Sequence, residues 1–284
     1  MKAPPFAYAR ARNLADVFDL LERHGDGAKI LAGGQSLMPA LNMRLSSPQL
    51  LIDISRLSEF SGIQVKDNHV HIGALTTHTQ IGDSAEIRKH LPLLADAVEH
   101  IAHPAIRNSG TFGGSLAMAD PAAEWPACCV TLDAQIVLTS NSGSRRVAAR
   151  DFFHGLYATA MKANEVLTEV VIPIPGADYR HAFLELARRR GDYAIVGIAA
   201  LAKIANGSIS DLRLTFLGAS EKPVLAVKTS QVFVSKGFSD YTLKQAQQVL
   251  ARELDPSADL YSSAATKLHL ACVMTARAMR QLAA

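Results

Sequence analysis

AGGQSLMPALNMRL, residues 32–45, sets a glycine pair, a glutamine and a serine between a short apolar run, Lys29 to Ala32, and a segment of helical spacing. Glycine accepts positive φ and lets a phosphate approach without meeting a Cβ atom, so consecutive N–H groups can converge on one anion. Ser36 adds a neutral donor and is expected to cap a short helix whose Pro39 still falls in the first turn. A second stretch, GTFGGSLAMADPAAEWPA at residues 110–127, repeats the pair and its Ser-Leu as Gly113-Gly114-Ser115-Leu116, 80 residues further on. Each pair stands at a helix entry, where the N-terminal dipole favours negative charge. Asp120-Pro121 reads as a further helix start, and its acid suits a ribose hydroxyl or an amide donor better than a phosphate.

Other nucleotide motifs fail on spelling. A Walker A loop needs a Gly-Lys-Ser/Thr ending, and no lysine follows either glycine pair within its loop. A GxGxxG fingerprint counted from Gly33 would need glycine at Gln35 and Met38, although Asp53 does end an expected strand 20 residues on, where that fold keeps its ribose-binding acid. One glycine pair alone is ordinarily a tight turn. Two pairs facing one ligand read as a dinucleotide site.

Working outward, Asn13 to His24 places Leu14, Val17, Phe18 and Leu21 on one helical face with Asn13 as N-cap, and Lys29 to Leu31 and Leu50 to Ile54 read as short buried strands. From Ile63 the texture alternates, with a polar turn at Lys66 to Asn68 that signals a hairpin. Ala85 to Ile101 is expected as one helix, its apolar residues in phase up to the second glycine stretch. Strands are expected at Ala134 to Thr139 and Val166 to Ile172, and IPIPGAD, residues 172–178, reads as a linker. Beyond it, Tyr193 to Ile204 and Ile209 to Leu217 read as strands split by Asn206-Gly207, and Thr242 to Ala284 as helix in two pieces broken at Asp255-Pro256. Division is therefore expected into residues 1–177, with subdomains at about 1–56 and 57–177, and residues 178–284.

The bulk numbers suit an enzyme of this kind. The 284 residues, 49% hydrophobic and 19% charged, suffice for about two domains. A formal charge of +3 from 29 basic and 26 acidic residues, without a long run of one sign, argues against nucleic acid. No stretch approaches a membrane span and MKAPPFAYARARN lacks an apolar leader core, so a cytoplasmic protein without membrane insertion is expected. Three cysteines, Cys128, Cys129 and Cys272, suit packed reduced thiols. They fall short of the roughly four ligands that an iron–sulfur cluster or structural zinc requires.

No GxSxG elbow, HExxH helix or paired cysteine and histidine appears, so no nucleophile or catalytic acid–base pair is assigned to this chain. His69 and His71 alternate on a strand, and His100 and His103 read as sharing a helix face without a third ligand. Satisfied or solvent-facing rings are expected for all four, and no metal site. Arg188, Arg189 and Arg190 form a basic run before Gly191, either a solvated strand end or a group that holds a neighbouring loop or partner.

AGGQSLMPALNMRL followed by LIDISRL, then HPAIRNSGTFGGSLAMADPAAEWPA, then ARRRGDYAIV (Ala187 to Val196), resembles the FAD-binding medium subunit of the molybdenum hydroxylases, the family of xanthine dehydrogenase and carbon monoxide dehydrogenase. The motifs occur in order over nearly the whole chain. The resemblance implies an α+β fold: a two-subdomain FAD-binding domain of the PCMH type, akin to vanillyl-alcohol oxidase, followed by a small C-terminal α+β domain of antiparallel sheet and helices. It implies that Ala32, Gly33, Gly34, Gln35, Ser36 and Leu37 hold the FAD pyrophosphate and ribityl chain together with Gly110, Thr111, Gly114 and Ser115. Ile101 and Ala102 would line the cofactor, Glu124 would face its adenosine half, and Tyr193 would lie against the isoalloxazine with Asp192 nearby. Met118 departs from the histidine or tyrosine of many relatives, and Glu185 from a lysine.

The function so implied is electron transfer. Partner iron–sulfur centres would pass electrons through this FAD to an external acceptor, while a large molybdopterin-binding subunit hydroxylates the substrate and a small subunit carries two 2Fe–2S clusters. A dimer of heterotrimers is the implied assembly. The alternative is a self-contained PCMH-type flavin oxidase or dehydrogenase, which needs its own acid or base beside the flavin. A nucleotide-sensing module is a third reading, distinguished by the lack of a flavin spectrum.

Overall fold

The computed structural model describes residues 2–205 and 208–284, so the expected Asn206-Gly207 turn lies outside the described residues. Strands β1 (Ala7–Arg10), β2 (Ala28–Leu31) and β3 (Leu50–Asp53) form a parallel sheet in the order β1-β3-β2. Helix α1 (Leu14–His24) connects the first two strands and α2 (Leu37–Asn42) lies between the last two. As expected, the Asn13 side chain accepts from the Asp16 N–H and Val17 and Leu21 are buried. Strand β1 was not foreseen, because AYAR is mostly exposed and carries no alternation. Parallel pairing needs crossovers and leaves the turn after β2 at the carboxyl end of the sheet, where open α/β sheets receive ligands.

A longer run follows. Strands β4 (Ile63–Lys66) and β5 (His69–Gly73) form the expected hairpin, with Asp67 and Asn68 both at positive φ, the conformation a two-residue turn of matching twist requires. Six helices come next: α3 (His78–Asp83), α4 (Ala85–His90), α5 (Pro92–Val98), α6 (Pro104–Arg107), α7 (Phe112–Met118) and α8 (Glu124–Thr131). Then come β6 (Gln135–Ser140), β7 (Gly143–Ala148), α9 (Ala149–Phe152), a small ribbon of β8 (Phe153–Gly155) and β9 (Ala158–Thr159), and β10 (Val166–Pro173). The antiparallel sheet runs β4-β5-β10-β6-β7. Its core draws Phe112, Trp125, Ile81 and Leu94 from the helices, and all eight residues of α8 are buried.

Three expectations are corrected here. The helix expected over Ala85 to Ile101 is two, because Pro92 cannot continue α4 and Leu91 leaves helical geometry. His100 and His103 consequently share no helix face: the first follows α5 and the second precedes α6. Asp120-Pro121 does not start a helix either; Asp120 accepts from the Ala122 N–H in a local turn and α8 begins at Glu124.

The C-terminal part is an antiparallel sheet of β11 (Tyr179–Ala187), β12 (Ala194–Ala205), β13 (Ser208–Leu217) and β14 (Val224–Leu225) in sequence order. Helices α10 (Val227–Lys236), α11 (Asp240–Leu250) and α12 (Ala264–Ala283) cover it, burying Phe233, Leu250, Ala278 and Met279. The sequence indicated the last two helices and missed α10, whose apolar residues are diluted by Lys228, Thr229, Ser230 and Gln231. The molecule is α+β, as the resemblance implied.

Candidate cofactor-binding site

The site begins at the carboxyl end of β2. Among the described residues, the backbone N–H groups of Gly33, Gly34, Gln35, Ser36 and Leu37 meet no acceptor; the first bond into α2 runs from the Met38 N–H to the Gly34 carbonyl. Gly34 turns the chain at φ 71°, a region that costs other residues about 1–2 kcal/mol. The Gln35 amide bonds the Gly33 carbonyl at 3.1 Å, which leaves the N–H row clear. Ser36 occupies the N-cap position of α2, yet its hydroxyl makes no capping bond. That differs from the expectation and leaves the hydroxyl available. Such a row of backbone donors without acceptors is the geometry of an anion nest.

The second glycine stretch lies against the first. A Cβ atom on Gly33 would fall 2.1 Å from the Ser109 carbonyl oxygen and 2.9 Å from the Gly110 Cα, while one on Gly114 would approach the Ala32 Cβ at 3.9 Å. The two loops therefore meet at Gly33 and Gly110. Their backbones nevertheless differ: Gly113 and Gly114 lie inside the first turn of α7. The Gly113 N–H donates to the Ala74 carbonyl at 2.8 Å, the Ser115 N–H to the Thr111 carbonyl at 3.1 Å and the Gly114 N–H to the Thr111 hydroxyl at 3.2 Å. The converging donors expected of both pairs are present only in the first. Thr111 caps α7 and bridges Thr77, and the Gly110 carbonyl accepts from the His78 N–H.

His78 fastens this loop from behind. The Trp125 indole donates to its Nδ1 at 3.0 Å, and burial, aided by the charge of Arg107, pushes the ring down to about 4. It is a neutral core histidine. Arg107 bonds the carbonyls of Ile101 and Ala102 at 2.9 and 3.1 Å and thereby fixes Ala102 at φ 42°.

A third segment packs on the residues that Arg107 fixes. A Cβ on Gly191 would lie 2.7 Å from the Ala102 carbonyl oxygen, so the turn holding Asp192 and Tyr193 rests on residues 101–103. Arg190 pairs with Glu99 at 2.9 Å, and the Arg188 guanidinium sits 4.2 Å from the Tyr261 ring centre. Tyr193 stands out, 72% exposed, with its phenol raised by desolvation and by the charges of Asp120 and Glu124. Glu124 is buried, its carboxyl pushed up to about 7 by burial and by Asp120. The structure thus brings the first loop at Ala32 and Gly33 against the second at Ser109, Gly110 and Gly114, ties Ile101 and Ala102 to α6 through Arg107, and sets the turn of Asp192 and Tyr193 on Ala102 and His103, with Glu124 within electrostatic reach of Tyr193.

Several residues lie apart from it or were not foreseen. Asp53 is buried and engaged by Tyr8, by the Ser55 N–H and by Arg10, so it fastens β3 to β1 and has no carboxyl oxygen aimed at a ribose. Cys128 and Cys129 are wholly buried, and burial pushes both thiols up. His71 pairs with Glu169 at 3.1 Å and His69 with the Asp67 carbonyl at 2.6 Å. Among the described residues no group of three or more histidine, cysteine, aspartate or glutamate side chains could hold a metal. The His78–Trp125 bond left no signal in the sequence, since 47 residues separate its partners.

Comparison with known proteins places these features. Residues 4–175 match the family described as the FAD binding domain in molybdopterin dehydrogenase, and residues 181–282 match the CO dehydrogenase flavoprotein C-terminal domain. The glyceraldehyde dehydrogenase medium chain of Sulfolobus acidocaldarius is 34% identical, with 100% of both chains covered. The nicotine 6-hydroxylase medium subunit of Paenarthrobacter nicotinovorans is 37% identical over 93% of this chain and 92% of its own. Among solved structures, carbon monoxide dehydrogenase from Hydrogenophaga pseudoflava superposes with a TM-score of 0.97 at 33% identity, covering 99% of this chain and 98% of that one.

Proposed function

The chain belongs to the FAD-binding subunits of the molybdenum hydroxylases, and from that premise we propose that it is the electron-transfer subunit of a multi-subunit complex. It is an oxidoreductase flavoprotein with FAD as its cofactor. The observation that carries the residue-level reading is the row of N–H groups from Gly33 to Leu37 without acceptors. It fits a pyrophosphate, which neutralises its charge against consecutive backbone dipoles without needing a lysine.

In this reading Gly33 to Leu37 hold the pyrophosphate with Ala32 leading into them, and Gly110, Thr111, Gly114 and Ser115 form the opposing wall. The smallness of Gly114 lets the wall come close, and the Ser115 hydroxyl supplies a neutral donor. Ile101 and Ala102 shape the ring end under the clamp of Arg107, and Tyr193 with Asp192 covers it from solvent. Bound FAD supplies the capacity to accept and release electrons, so the chain needs no nucleophile. We place the division between the FAD-binding and C-terminal parts at residues 177 and 178.

Electrons would come from 2Fe–2S clusters on a small partner subunit, themselves fed by a large molybdopterin-binding subunit, and leave to an external acceptor. A dimer of such heterotrimers in the cytoplasm is the proposed form; no described helix is long and apolar enough to cross a membrane. Relatives named as a medium subunit and as a subunit of a dehydrogenase complex support this assembly. The test compares the purified chain with its complex: the chain alone should accept electrons from a strong reductant yet fail to oxidise the complex's substrate. Substrate turnover by the chain alone would establish the self-contained oxidase instead.

A further inference from the structure

The carbonyl of Ala102 is held from two sides by segments far apart in the chain. From its own side the guanidinium of Arg107, the last residue of α6, donates through Nη1 to the Ile101 carbonyl at 2.9 Å and to the Ala102 carbonyl at 3.1 Å. Among the described residues these are its only hydrogen bonds. The Ile106 and Arg107 N–H groups both bond the His103 carbonyl at 2.9 Å, and no described backbone N–H reaches the carbonyls of Ile101 and Ala102. Ala102 moreover sits at φ 42° without being glycine. A residue in that region persists where its surroundings over-determine it, and here the surroundings are one arginine side chain.

From the other side comes the turn between β11 and β12. Gly191 lies at φ 84°, and a Cβ atom there would fall 2.7 Å from the Ala102 carbonyl oxygen, 3.0 Å from its carbon and 3.1 Å from the His103 ring. Backbone therefore packs directly on backbone. The Asp192 N–H closes the turn on the Arg189 carbonyl at 3.1 Å. The ion pair of Arg190 with Glu99 also spans the two segments, but with side chains 78% and 67% exposed it contributes little. The glycine contact is what sets where the turn stands. Asp192 and Tyr193 follow at once, and a tyrosine 72% exposed takes its position from its backbone, because so little around the ring encloses it.

We propose that Arg107 is a positioning residue for Tyr193: by fixing the Ala102 carbonyl it supplies the seat for Gly191, and so determines where the tyrosine stands over the flavin ring. The inference rests on the FAD reading above, in which Tyr193 covers the ring end. It joins the two parts of the chain in one task, since a side chain of the FAD-binding part sets the place of an aromatic ring of the C-terminal part. Arg107 acts through one carbonyl rather than by touching the cofactor.

The experiment reads the fluorescence of FAD bound to the full-length chain, because a phenol packed on an isoalloxazine quenches its emission by electron transfer; circular dichroism shows that each variant is folded. Tyr193→Ala should brighten bound FAD several-fold. Arg107→Met and Gly191→Ala should brighten it too, the first by loosening the seat and the second by pushing the turn off it. Arg107→Lys, which keeps a cation with N–H donors, should restore most of the quenching. Arg107→Gln keeps an amide donor but is too short to serve both carbonyls, so it should fold and brighten partly, and it decides the matter where the methionine variant does not fold. The double variant Arg107→Met with Tyr193→Ala should be no brighter than Tyr193→Ala alone, the non-additivity of two residues that act as a unit. An arginine that only stabilised its own loop would lower the melting temperature and leave the emission dim. Arginine variants as dim as wild type, or a double variant whose brightening compounds that of the two single ones, would overturn the inference and leave FAD binding standing. Tyr193→Ala as dim as wild type would remove the covering role of Tyr193 and this inference with it, whereas failure of wild type to take up FAD would overturn the function itself.

Discussion

The two glycine pairs share a spelling and divide the labour. Gly33-Gly34 precedes its helix, turns at positive φ and leaves five consecutive N–H groups without an acceptor. Gly113-Gly114 lies within its helix, and both of its N–H groups are already bonded. A glycine pair before a helix can thus be a ligand cradle, whereas the same pair one turn later is a device for close packing. The distinction depends on whether the preceding cap, here Thr111, takes the N–H groups for itself.

Substitutions that separate these roles sharpen the comparison. Gly113→Val should have the largest effect: a Cβ there would stand 2.5 Å from the Ala74 Cβ and 2.8 Å from its Cα, an overlap with backbone expected to cost about 3 kcal/mol or more. Thermal melting should show a loss of stability in flavin-free protein as well as in loaded protein. A normal melting curve with weakened FAD binding would mean that the second pair is a cradle too.

The fastening behind the second loop gives a pH test. His78 is neutral when folded, with its ring depressed to about 4 from 6.5. Its contribution is therefore fully present above about pH 6.5 and lost as pH falls through 4, amounting to roughly 3 kcal/mol. Melting temperature should fall over that window, and His78→Leu should flatten the dependence while lowering stability at pH 7, because the Trp125 N–H loses its acceptor. An unchanged pH dependence in the variant would remove His78 from the account.

Gly34→Val acts on the first pair. A Cβ there meets only side-chain atoms, Leu31 at 3.3 Å and Met38 at 3.4 Å, which must give by a few tenths of an ångström, and the position needs positive φ. Folded, flavin-poor protein is expected, with about 1.5–3 kcal/mol lost for each charge-assisted bond disturbed, or one to two decades in Kd. The smallest effect is Ser36→Ala. Its hydroxyl caps nothing in the chain, so stability should be unchanged, and FAD affinity should fall by about 0.5–1.5 kcal/mol for one neutral donor. Equal losses in the two variants would break the claim that the backbone carries the binding.

The open row of N–H groups in the first loop was legible in the sequence because its signal is local: small residues between a short strand and a helix start. The second loop misled at the level of hydrogen bonds, since the partners of Gly113 and Gly110, namely Ala74 and His78, come from more than 30 residues away. Pro92 was on view, yet the apolar period of Ala85 to Ile101 runs through it and conceals the break between α4 and α5. Strand β1 escaped because its stability comes from parallel pairing with Leu50 to Asp53, which no local pattern records.

The most direct measurement of the central claim is the visible spectrum of the purified chain, followed by denaturation and identification of what is released. The account predicts a flavin spectrum and FAD freed into solution, because neither glycine loop carries a histidine or cysteine suited to a covalent linkage. A folded chain without flavin absorbance that takes up no added FAD would contradict it, as would release of FMN, which lacks the pyrophosphate that the Gly33 to Leu37 row is proposed to hold.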